Sequence, residues 1–242
     1  MINVVIPMAG AGSRFQKAGY KLPKPFIDVG GKMMIERVLE GICIPNAHYT
    51  LIIRKDFGME HSALLEKISQ RNGIAFVSVE KLTQGASCTA LAASEIINNS
   101  YPAVFVDSDT IFENGSFNSF IRAALESRAD GSLLTVFSDK DCFSYAKVEN
   151  GFVTETREKE VISDHAITGA YYFARGADFC RYAMEMMMYG DRAKNEYYMS
   201  SVYNRAIADG KRITVFDIPL EAWNCVGTPD QLEESLPRIT SS

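Results

Sequence analysis

A glycine-rich loop and two cations near the N-terminus are the residues of this chain best suited to chemistry. The apolar run Val4–Ile6 is followed, after a proline, by Gly10 and Gly12, and then by Arg14 and Lys24. A buried strand that leads into glycines leaves backbone N–H groups free to bind a phosphate. The two cations supply more positive charge than a dinucleotide loop requires. The segment therefore predicts a triphosphate-binding site.

The glycines by themselves are compatible with two further kinds of structure. The pair fits an ordinary strand-to-helix turn. A dinucleotide-binding fingerprint needs a third glycine, where this chain has Phe15, and an acidic residue at the end of the second strand, whereas Asp28 lies in a loop. The cations, and the prolines on either side of Lys24, favour the triphosphate site over both alternatives.

Two carboxylates directly follow another strand-like run. Asp107 and Asp109 come after Ala103–Val106, and carboxylates at the carboxyl end of a strand are suited to hold Mg²⁺ against phosphate oxygens. The alternative is that they cap the turn before the next helix, as aspartates often do. Beside a triphosphate loop, the metal interpretation is favoured.

Two further residue pairs fit a second substrate or a base. Gln84 and Gly85 precede a helix of small residues, where an amide can contact a base edge. Glu158 and Lys159 follow a hairpin pattern, and such a pair can bind sugar hydroxyls and a phosphate. Each pair alone is a weak signal, because glycine loops before helices and exposed Glu–Lys pairs are common.

The elements that must position these residues alternate between strand and helix. Helical spacing of apolar residues predicts helices over 35–42, 117–124 and 179–186, near 197–208, and from 229 onwards. Asn150-Gly151 between two strand-like runs predicts a hairpin. The alternation predicts an α/β fold: a three-layer α/β/α arrangement with a mostly parallel, Rossmann-like sheet and a small β-hairpin insertion. Strand-like runs lie at 4–6, 49–53, 74–79, 103–106, 133–137, 145–149, 152–156, 169–174 and 213–218.

Composition limits the classes of partner. The chain has 242 residues, of which 47% are hydrophobic, and a net charge of −5, which argues against nucleic-acid binding. Its five scattered cysteines have no C-x-x-C spacing, so we expect reduced thiols, no disulfide scaffold and a cytoplasmic location. The N-terminal apolar stretch is too short to span a membrane, and no membrane partner is expected.

In their order along the chain, these segments resemble the sugar-phosphate nucleotidyltransferase family, a group with a GT-A-like fold. The members to compare are glucose-1-phosphate thymidylyltransferases and uridylyltransferases and related enzymes encoded with capsule genes. The matching segments include AGAGSRF, QGASCTA, DSDTIF and WNCVGTPDQL, and together they cover residues 4–232. The first is the most specific of them.

The resemblance implies a role for each motif. Catalytic residues would be Arg14, Lys24 and Asp109, with Mg²⁺ held by Asp109 and Asp107. The nucleotide would be bound by Met8, Ala9, Gly10, Ala11, Gly12, Gln84, Gly85 and Ala86. The phosphate-monoester substrate would be bound by Tyr145, Glu158, Lys159, Gly169 and Glu196.

The chain also departs from the family pattern. Cys225 stands where the family usually has an aspartate that ligates the metal, and a thiol is a poor ligand for Mg²⁺. Either Asp107 or Glu221 compensates, or the metal relies on Asp109, phosphates and water. Ala146 replaces the glycine of the usual Tyr-Gly pair, and Glu160 replaces a proline. These last two changes argue against assuming a usual hexose substrate.

The resulting hypothesis is an Mg²⁺-dependent nucleotidyltransferase that forms a single domain over residues 1–242. Residues 1–115 would bind the NTP (UTP, CTP or dTTP), and residues 116–242 would bind a sugar phosphate or related monoester. The product would be an activated precursor of capsule or surface polysaccharide. The alternatives are a GT-A glycosyltransferase with a D-x-D metal site and a non-catalytic nucleotide-binding regulator. Association of copies into a homo-oligomer is left open.

Overall fold

The computed structural model describes residues 1–70 and 73–241. In these residues nine strands form one mixed sheet, whose main path has the order β10-β6-β9-β4-β1-β2-β3, and β5 and β11 form a separate antiparallel pair. The strands are β1 (Ile2–Pro7), β2 (Ala47–Arg54), β3 (Ile74–Val79), β4 (Ala103–Val106), β5 (Thr110–Phe112), β6 (Gly131–Phe137), β7 (Ser144–Glu149), β8 (Phe152–Glu158), β9 (His165–Phe173), β10 (Ile213–Asp217) and β11 (Trp223–Cys225).

Helices cover both faces of the sheet. Alternate residues of β1 point into different cores: Val4 and Ile6 pack into one, and Val5 packs into the other. The helices are α1 (Ser13–Lys17), α2 (Met34–Gly41), α3 (Lys55–Glu60), α4 (Ser62–Ser69), α5 (Ala86–Ala90), α6 (Ser94–Ile97), α7 (Ser116–Ser127), α8 (Gly176–Tyr189), α9 (Met199–Ala208) and α10 (Pro229–Ser241). Buried residues of α2, α7 and α10 join the first core, and those of α8 and α9 join the second. The predicted three-layer α/β/α fold is confirmed.

The sheet is mostly parallel, as predicted, with one antiparallel strand at its centre. β1, β2, β3 and β4 pair in parallel, as do β6 and β10, while β9 runs antiparallel between β4 and β6. The predicted hairpin is β7–β8, and β7 also pairs with β9. Both turn residues have positive φ, 53° at Asn150 and 82° at Gly151, as a two-residue turn of this type requires.

The topology brings the ends of β1 and β4 together. These strands pair in parallel, with Asn3 opposite Ala103 and Val5 opposite Phe105. The loop after β1 and the acidic segment after β4 therefore leave the same edge of the sheet, where ligands bind in folds of this class.

The sequence did not predict the β5–β11 pair, and the proposed division of the chain into two halves is not tested by the fold. The β5–β11 pair joins two three-residue strands far apart in sequence, which are too short to show a periodic pattern. In the part of the chain that the structure describes, no helix is long and apolar enough to cross a bilayer. The division into halves at residue 115 stays a prediction.

Candidate active site

The loop after β1 is bonded to the sheet at its first residues and is exposed at Gly10. Met8 and Ala9 are buried, and the N–H of Met8 donates to the carbonyl of Ile52 on β2 (2.9 Å). Gly10 is exposed, and Gly12 leads into α1. First-turn amides of a helix have no acceptor within the helix. The loop thus presents backbone donors at the edge of the sheet.

A cavity of about 380 Å³ lies against this loop, and we refer to it as the loop cavity. Lys24 and Asp109 form an ion pair on its wall, and both side chains are about one-fifth exposed (20% and 23%). A short 3₁₀ turn, Lys24–Phe26, carries the lysine. The carbonyl of Asp109 accepts a hydrogen bond from the N–H of Val226 (2.9 Å), which ties the aspartate to the segment after β11. The loop cavity is lined by residues that include Gly10, Gly12, Arg14, Lys24, Ala86, Asp107, Asp109, Lys159, Glu196 and Tyr198.

Asp107 lies beside Asp109 and is packed against a glycine. Its N–H donates to the carbonyl of Gly169 (2.8 Å). Gly169 has φ +89°, and a Cβ there would lie 2.8 Å from Oδ2 of Asp107. Only glycine therefore combines this backbone conformation with this close approach. Desolvation, and next the charge of Asp109, raise the pKa of Asp107 to about 8.

The donor set at this point fits a magnesium ion that is shared with a substrate. In residues 1–70 and 73–241, no group of three or more His, Cys, Asp or Glu side chains could enclose a metal. Mg²⁺ is commonly held by one or two carboxylates together with phosphates and water, and Asp109 with Asp107 provides that minimum. A cation bound beside both carboxylates would favour their ionised forms.

Cys225 is close to this carboxylate pair but is unsuited to replace the family's aspartate. Cys225 on β11 pairs with Thr110 on β5, and Thr110 directly follows Asp109 in the chain. Burial, and next the charge of Asp109, raise the pKa of the Cys225 thiol to about 12. A thiol is a soft ligand and matches the hard Mg²⁺ ion poorly. Of the three alternatives for the second metal ligand, Glu221 is exposed in a 3₁₀ turn, whereas Asp107 adjoins Asp109.

A second cavity, of about 560 Å³, lies beside the hairpin, and we refer to it as the hairpin cavity. Arg14, Asp107, Asp109, Lys159 and Tyr198 line both cavities, so the two spaces are adjacent. The wall of the hairpin cavity also includes Glu158, Gly169, Tyr171, Trp223, Cys225 and Asp230.

Two hydroxyl groups hold the side chain of Glu158 on the wall of the hairpin cavity. Its carboxylate accepts a hydrogen bond from the hydroxyl of Ser144 and a second from that of Ser200 (3.3 Å). Burial raises its pKa, and the hydroxyls and Lys159 partly offset this effect. A carboxylate with fixed lone pairs on a cavity wall is suited to accept substrate hydroxyls.

Lys159 follows at a position of unusual backbone geometry. Its φ is +55°, and its N–H donates to the carbonyl of Phe143 (3.0 Å). Its Nζ lies 5.5 Å from the centre of the Tyr198 ring. The turn at the end of β8 thus brings the lysine to the border between the two cavities.

The segment around Gln84 is held against the loop before α9. Gly85 has φ +140°, and a Cβ there would collide with the backbone of Tyr197. The N–H of Tyr197 donates to the carbonyl of Gln84 (2.9 Å), and the hydroxyl of Ser87 donates to the carbonyl of Tyr197 (2.7 Å). This packing positions Ala86 on the wall of the loop cavity.

Most of the predicted site residues meet at the two cavities, and Tyr145 is the exception that requires a correction. Tyr145 is fully buried, and its hydroxyl donates to the carbonyl of Lys140 (2.7 Å). It pairs with Ala166 of β9, so its side chain packs in the core. We therefore correct the predicted contact between Tyr145 and substrate. The residues that reach a cavity wall are Met8, Gly10, Gly12, Arg14, Lys24, Ala86, Asp107, Asp109, Glu158, Lys159, Gly169 and Glu196. Ala9, Ala11, Gln84 and Gly85 adjoin these wall residues in sequence.

Sequence analysis missed several cavity residues. Tyr198 lines both cavities, Tyr171 lines the hairpin cavity, and Ser200 binds Glu158. Tyr198 and Ser200 lie in a segment where the family resemblance indicates only Glu196. The only sequence signal for Tyr198 and Ser200 was their spacing at the start of a helix. Such spacing does not distinguish a residue on a cavity wall from a residue in the core.

Comparison with known proteins identifies the family. The sequence model described as nucleotidyl transferase matches residues 3–242. The chain belongs to this family. The predicted resemblance is thereby confirmed at the level of the nucleotidyltransferases.

Solved structures with the same fold are similar over nearly the whole chain. A nucleoside-diphosphate-sugar pyrophosphorylase from Vibrio cholerae RC9 is 26% identical, with a TM-score of 0.84 over 97% of this chain and 99% of that one. A provisionally assigned glucose-1-phosphate thymidylyltransferase from Bacillus anthracis is 19% identical, with a TM-score of 0.78 over 100% and 96%. An inositol-1-phosphate CTP transferase from T. maritima is 14% identical, with a TM-score of 0.77 over 100% and 96%. At such identities, the last two show the fold alone.

Proposed function

We propose that this member of the family transfers a nucleotidyl group from an NTP to a sugar phosphate or a related phosphate monoester and releases pyrophosphate. The observation that carries the proposal is the position of Asp109. It lies on the walls of both cavities and forms an ion pair with Lys24 on the wall of the loop cavity. Two anionic substrates that meet at Asp109 would therefore lie close to the positive charge of Lys24.

The loop cavity is the proposed NTP site. Backbone groups around Gly10 and Gly12 would bind the phosphates, with Arg14 and Lys24 neutralising them. Ala86, on the same wall, would lie towards the base. In this arrangement residues 1–115 supply most NTP contacts, while Glu196 and Tyr198 close the cavity from the second half.

The hairpin cavity is the proposed acceptor site. Glu158 would accept hydrogen bonds from hydroxyls of the acceptor, and Lys159 would pair with its phosphate at the border of the cavities. A phosphate monoester has a second pKa of about 6 and is already a dianion near neutral pH. The chain therefore needs no general base, and its task is in-line positioning and charge neutralisation.

Mg²⁺ is the proposed cofactor, held by Asp109 with Asp107. When bound, it would supply positive charge to the NTP phosphates. Family membership and the carboxylate pair support this assignment. The proposed NTP is one of the pyrimidine nucleotides UTP, CTP and dTTP. A role in the synthesis of capsule or surface polysaccharide would follow from the identity of the acceptor.

The experiment is a pyrophosphate-release screen of four NTPs against a panel of sugar and polyol phosphates with MgCl₂. We expect release that requires both an NTP and one class of monoester. UDP-sugars replace the NTP in a parallel arm. Transfer of sugar from those donors, without pyrophosphate release from any NTP, would support a GT-A glycosyltransferase and overturn the proposal. Nucleotide binding with no turnover in either arm would support a regulator.

A further inference from the structure

The ammonium group of Lys159 reaches the border of the two cavities without a carboxylate partner. Lys159 lines both cavities. Within residues 1–70 and 73–241, no hydrogen bond or salt bridge joins its Nζ to another protein group. Lys24, a second lysine of the loop cavity, differs because it forms an ion pair with Asp109. The charge of Lys159 is therefore not neutralised by direct contact with a carboxylate.

The aromatic ring of Tyr198 holds this ammonium group instead. Nζ of Lys159 lies 5.5 Å from the centre of the ring, which is within the range of a cation–π interaction. Tyr198 also lines both cavities. The contact between the two side chains therefore lies at the place where the two substrates of the proposed reaction would meet.

The segment that carries Tyr198 is anchored on both sides of this residue. Tyr197 and Met199 are buried and pack in the second core. The hydroxyl of Ser200 donates to the carboxylate of Glu158 (3.3 Å). The ring thus belongs to a segment that is fixed in the core and bonded to the end of β8.

The hydroxyl of Tyr198 stays protonated near neutral pH. Burial, and next the charges of Glu196 and Glu158, raise the pKa of this hydroxyl to about 12, although Arg14 acts in the opposite direction. A neutral ring attracts a cation through its quadrupole. It leaves the three N–H donors of an ammonium group available to an anion.

A ring and a carboxylate differ as partners for a lysine that must bind phosphate. A lysine side chain that rotates freely loses conformational entropy when it binds an anion. A carboxylate partner restricts the side chain, but it also neutralises the charge and competes with the phosphate. An aromatic partner restricts the side chain and does not compete. The backbone of Lys159 is restricted as well, with φ +55°.

We propose that Tyr198 is a positioning residue whose ring holds the ammonium group of Lys159 at the border of the two cavities, oriented and not neutralised, for the phosphate of the acceptor. This proposal rests on the proposed function, in which Lys159 pairs with that phosphate. Tyr198 acts through Lys159 and contributes to binding of the acceptor by reducing the disorder of the lysine in the free protein.

The first test is nuclear magnetic resonance of the intact protein and needs no turnover. Lysines are methylated with ¹³C-formaldehyde, which keeps their charge, and Lys159→Arg identifies the Lys159 signal. We expect a ring-current shift of this signal that persists in Tyr198→Phe and is lost in Tyr198→Leu. Inorganic phosphate is then titrated as the probe. The concentration that half-saturates the response of Lys159 should rise about fivefold in Tyr198→Leu, and Tyr198→Phe should restore it.

A double-mutant cycle tests whether Tyr198 acts through Lys159. The acceptor is the sugar or polyol phosphate of the screen that gives the fastest pyrophosphate release. Tyr198→Leu should raise its KM about fivefold, and Lys159→Met should raise it further. In the double variant, loss of the ring should add nothing to the loss of the lysine.

Tyr189→Leu is the matched control for loss of an aromatic ring beside a cation. The guanidinium carbon of Arg205 lies 4.1 Å from the centre of the Tyr189 ring. Among the described wall residues of the loop cavity and the hairpin cavity, neither Tyr189 nor Arg205 occurs. The control should keep the wild-type KM and the wild-type response of Lys159 to phosphate.

The outcomes separate this proposal from the proposed function on which it rests. An unchanged Lys159 signal and phosphate response in Tyr198→Leu would overturn the proposal, as would a wild-type Lys159 that does not respond to phosphate. Equal losses in Tyr198→Phe and Tyr198→Leu would assign the effect to the hydroxyl and overturn it too. Effects on KM that multiply in the double variant would show that Tyr198 acts independently of Lys159. If no monoester supports pyrophosphate release, the proposed function fails, while the expected resonance results would still support the positioning of Lys159.

Discussion

The two cavities are built in different ways, although they share a wall. The loop cavity takes Gly10, Gly12 and two of its cations, Arg14 and Lys24, from one short stretch of chain. The hairpin cavity takes Glu158 from β8 and the hydroxyls that hold it from β7 and α9. The first is made of backbone and part-exposed cations, and the second of partly buried polar groups that already have partners. Charge should therefore dominate the first cavity, and preorganised geometry the second.

The largest expected effect concerns charge in the loop cavity. Lys24→Met should lower pyrophosphate release about 10³-fold while the fold is retained, because the reacting phosphates lose a preorganised cation. Turnover is measured at saturating substrates, with circular dichroism as the check on folding. Lys21→Met, at an exposed lysine nearby, is the control and should be active. A loss smaller than tenfold in Lys24→Met would show that charge does not dominate this cavity.

The next effect concerns the glycine that supports the acidic pair. Gly169→Ala combines a strained φ of +89° with a Cβ 2.8 Å from the Asp107 carboxylate, and should cost about 2–3 kcal/mol of stability. Gly151→Ala is a matched control, since its φ is +82° but a Cβ there meets nothing within 4 Å. That variant should cost about 1 kcal/mol. Urea unfolding measures both. Equal losses of unfolding free energy in the two variants would mean that the close approach of the added Cβ to Asp107 has no cost.

A smaller effect separates the two cavities by their kinetic constants. Glu158→Gln should raise the KM of the phosphate monoester about tenfold and leave the KM of the NTP within about twofold, because only the acceptor loses a charged hydrogen-bond partner. Glu160→Gln, at the exposed residue two positions later, serves as the control. An equal rise in both KM values would contradict the assignment of the hairpin cavity to the acceptor.

The same variant gives a pH dependence of stability. Burial raises the pKa of Glu158 above its ordinary value of 4.5, so the native state keeps this proton to higher pH than the unfolded state does. The carboxyl contributes stability below the unfolded pKa and loses it as pH rises through the native pKa. Glu158→Gln should therefore gain stability relative to wild type as pH rises from the ordinary value of 4.5 towards neutrality. Chemical unfolding at several pH values in this range measures the difference in stability between Glu158→Gln and wild type. A difference that narrows as pH rises would contradict the expected gain.

The smallest effect is expected at Cys225. Its thiol is a soft ligand that suits Mg²⁺ poorly, so Cys225→Ser should leave the MgCl₂ concentration for half-maximal activity within about twofold. A marked rise in the required magnesium would show that the sulfur takes part in the metal site.

The contrast between the cavities also explains what could be predicted from the sequence. The glycine loop, Arg14 and Lys24 are close in sequence, so their types and spacing carried the information. The hairpin was predictable because Asn150-Gly151 forms its turn locally. These are the parts of the fold and site that depend on neighbouring residues.

The remaining parts depend on contacts across the chain. Lys24 and Asp109 are 85 positions apart, and no periodicity reports their pairing. Tyr145 resembles a residue of the family's substrate pocket by its motif, but pairing with β9 directs it into the core. Arg192 carried no signal, because its contact with Gln84 joins residues that are 108 positions apart.

In the proposed reaction, two substrates meet and are joined at Asp109. The most direct measurement follows label from an α-³²P NTP in the presence and absence of a phosphate monoester. We expect the label to appear in a monoester-linked product, in an amount equal to the pyrophosphate released, and only when both substrates are present. Release of pyrophosphate at the same rate without the monoester, with the label left on free NMP, would contradict it.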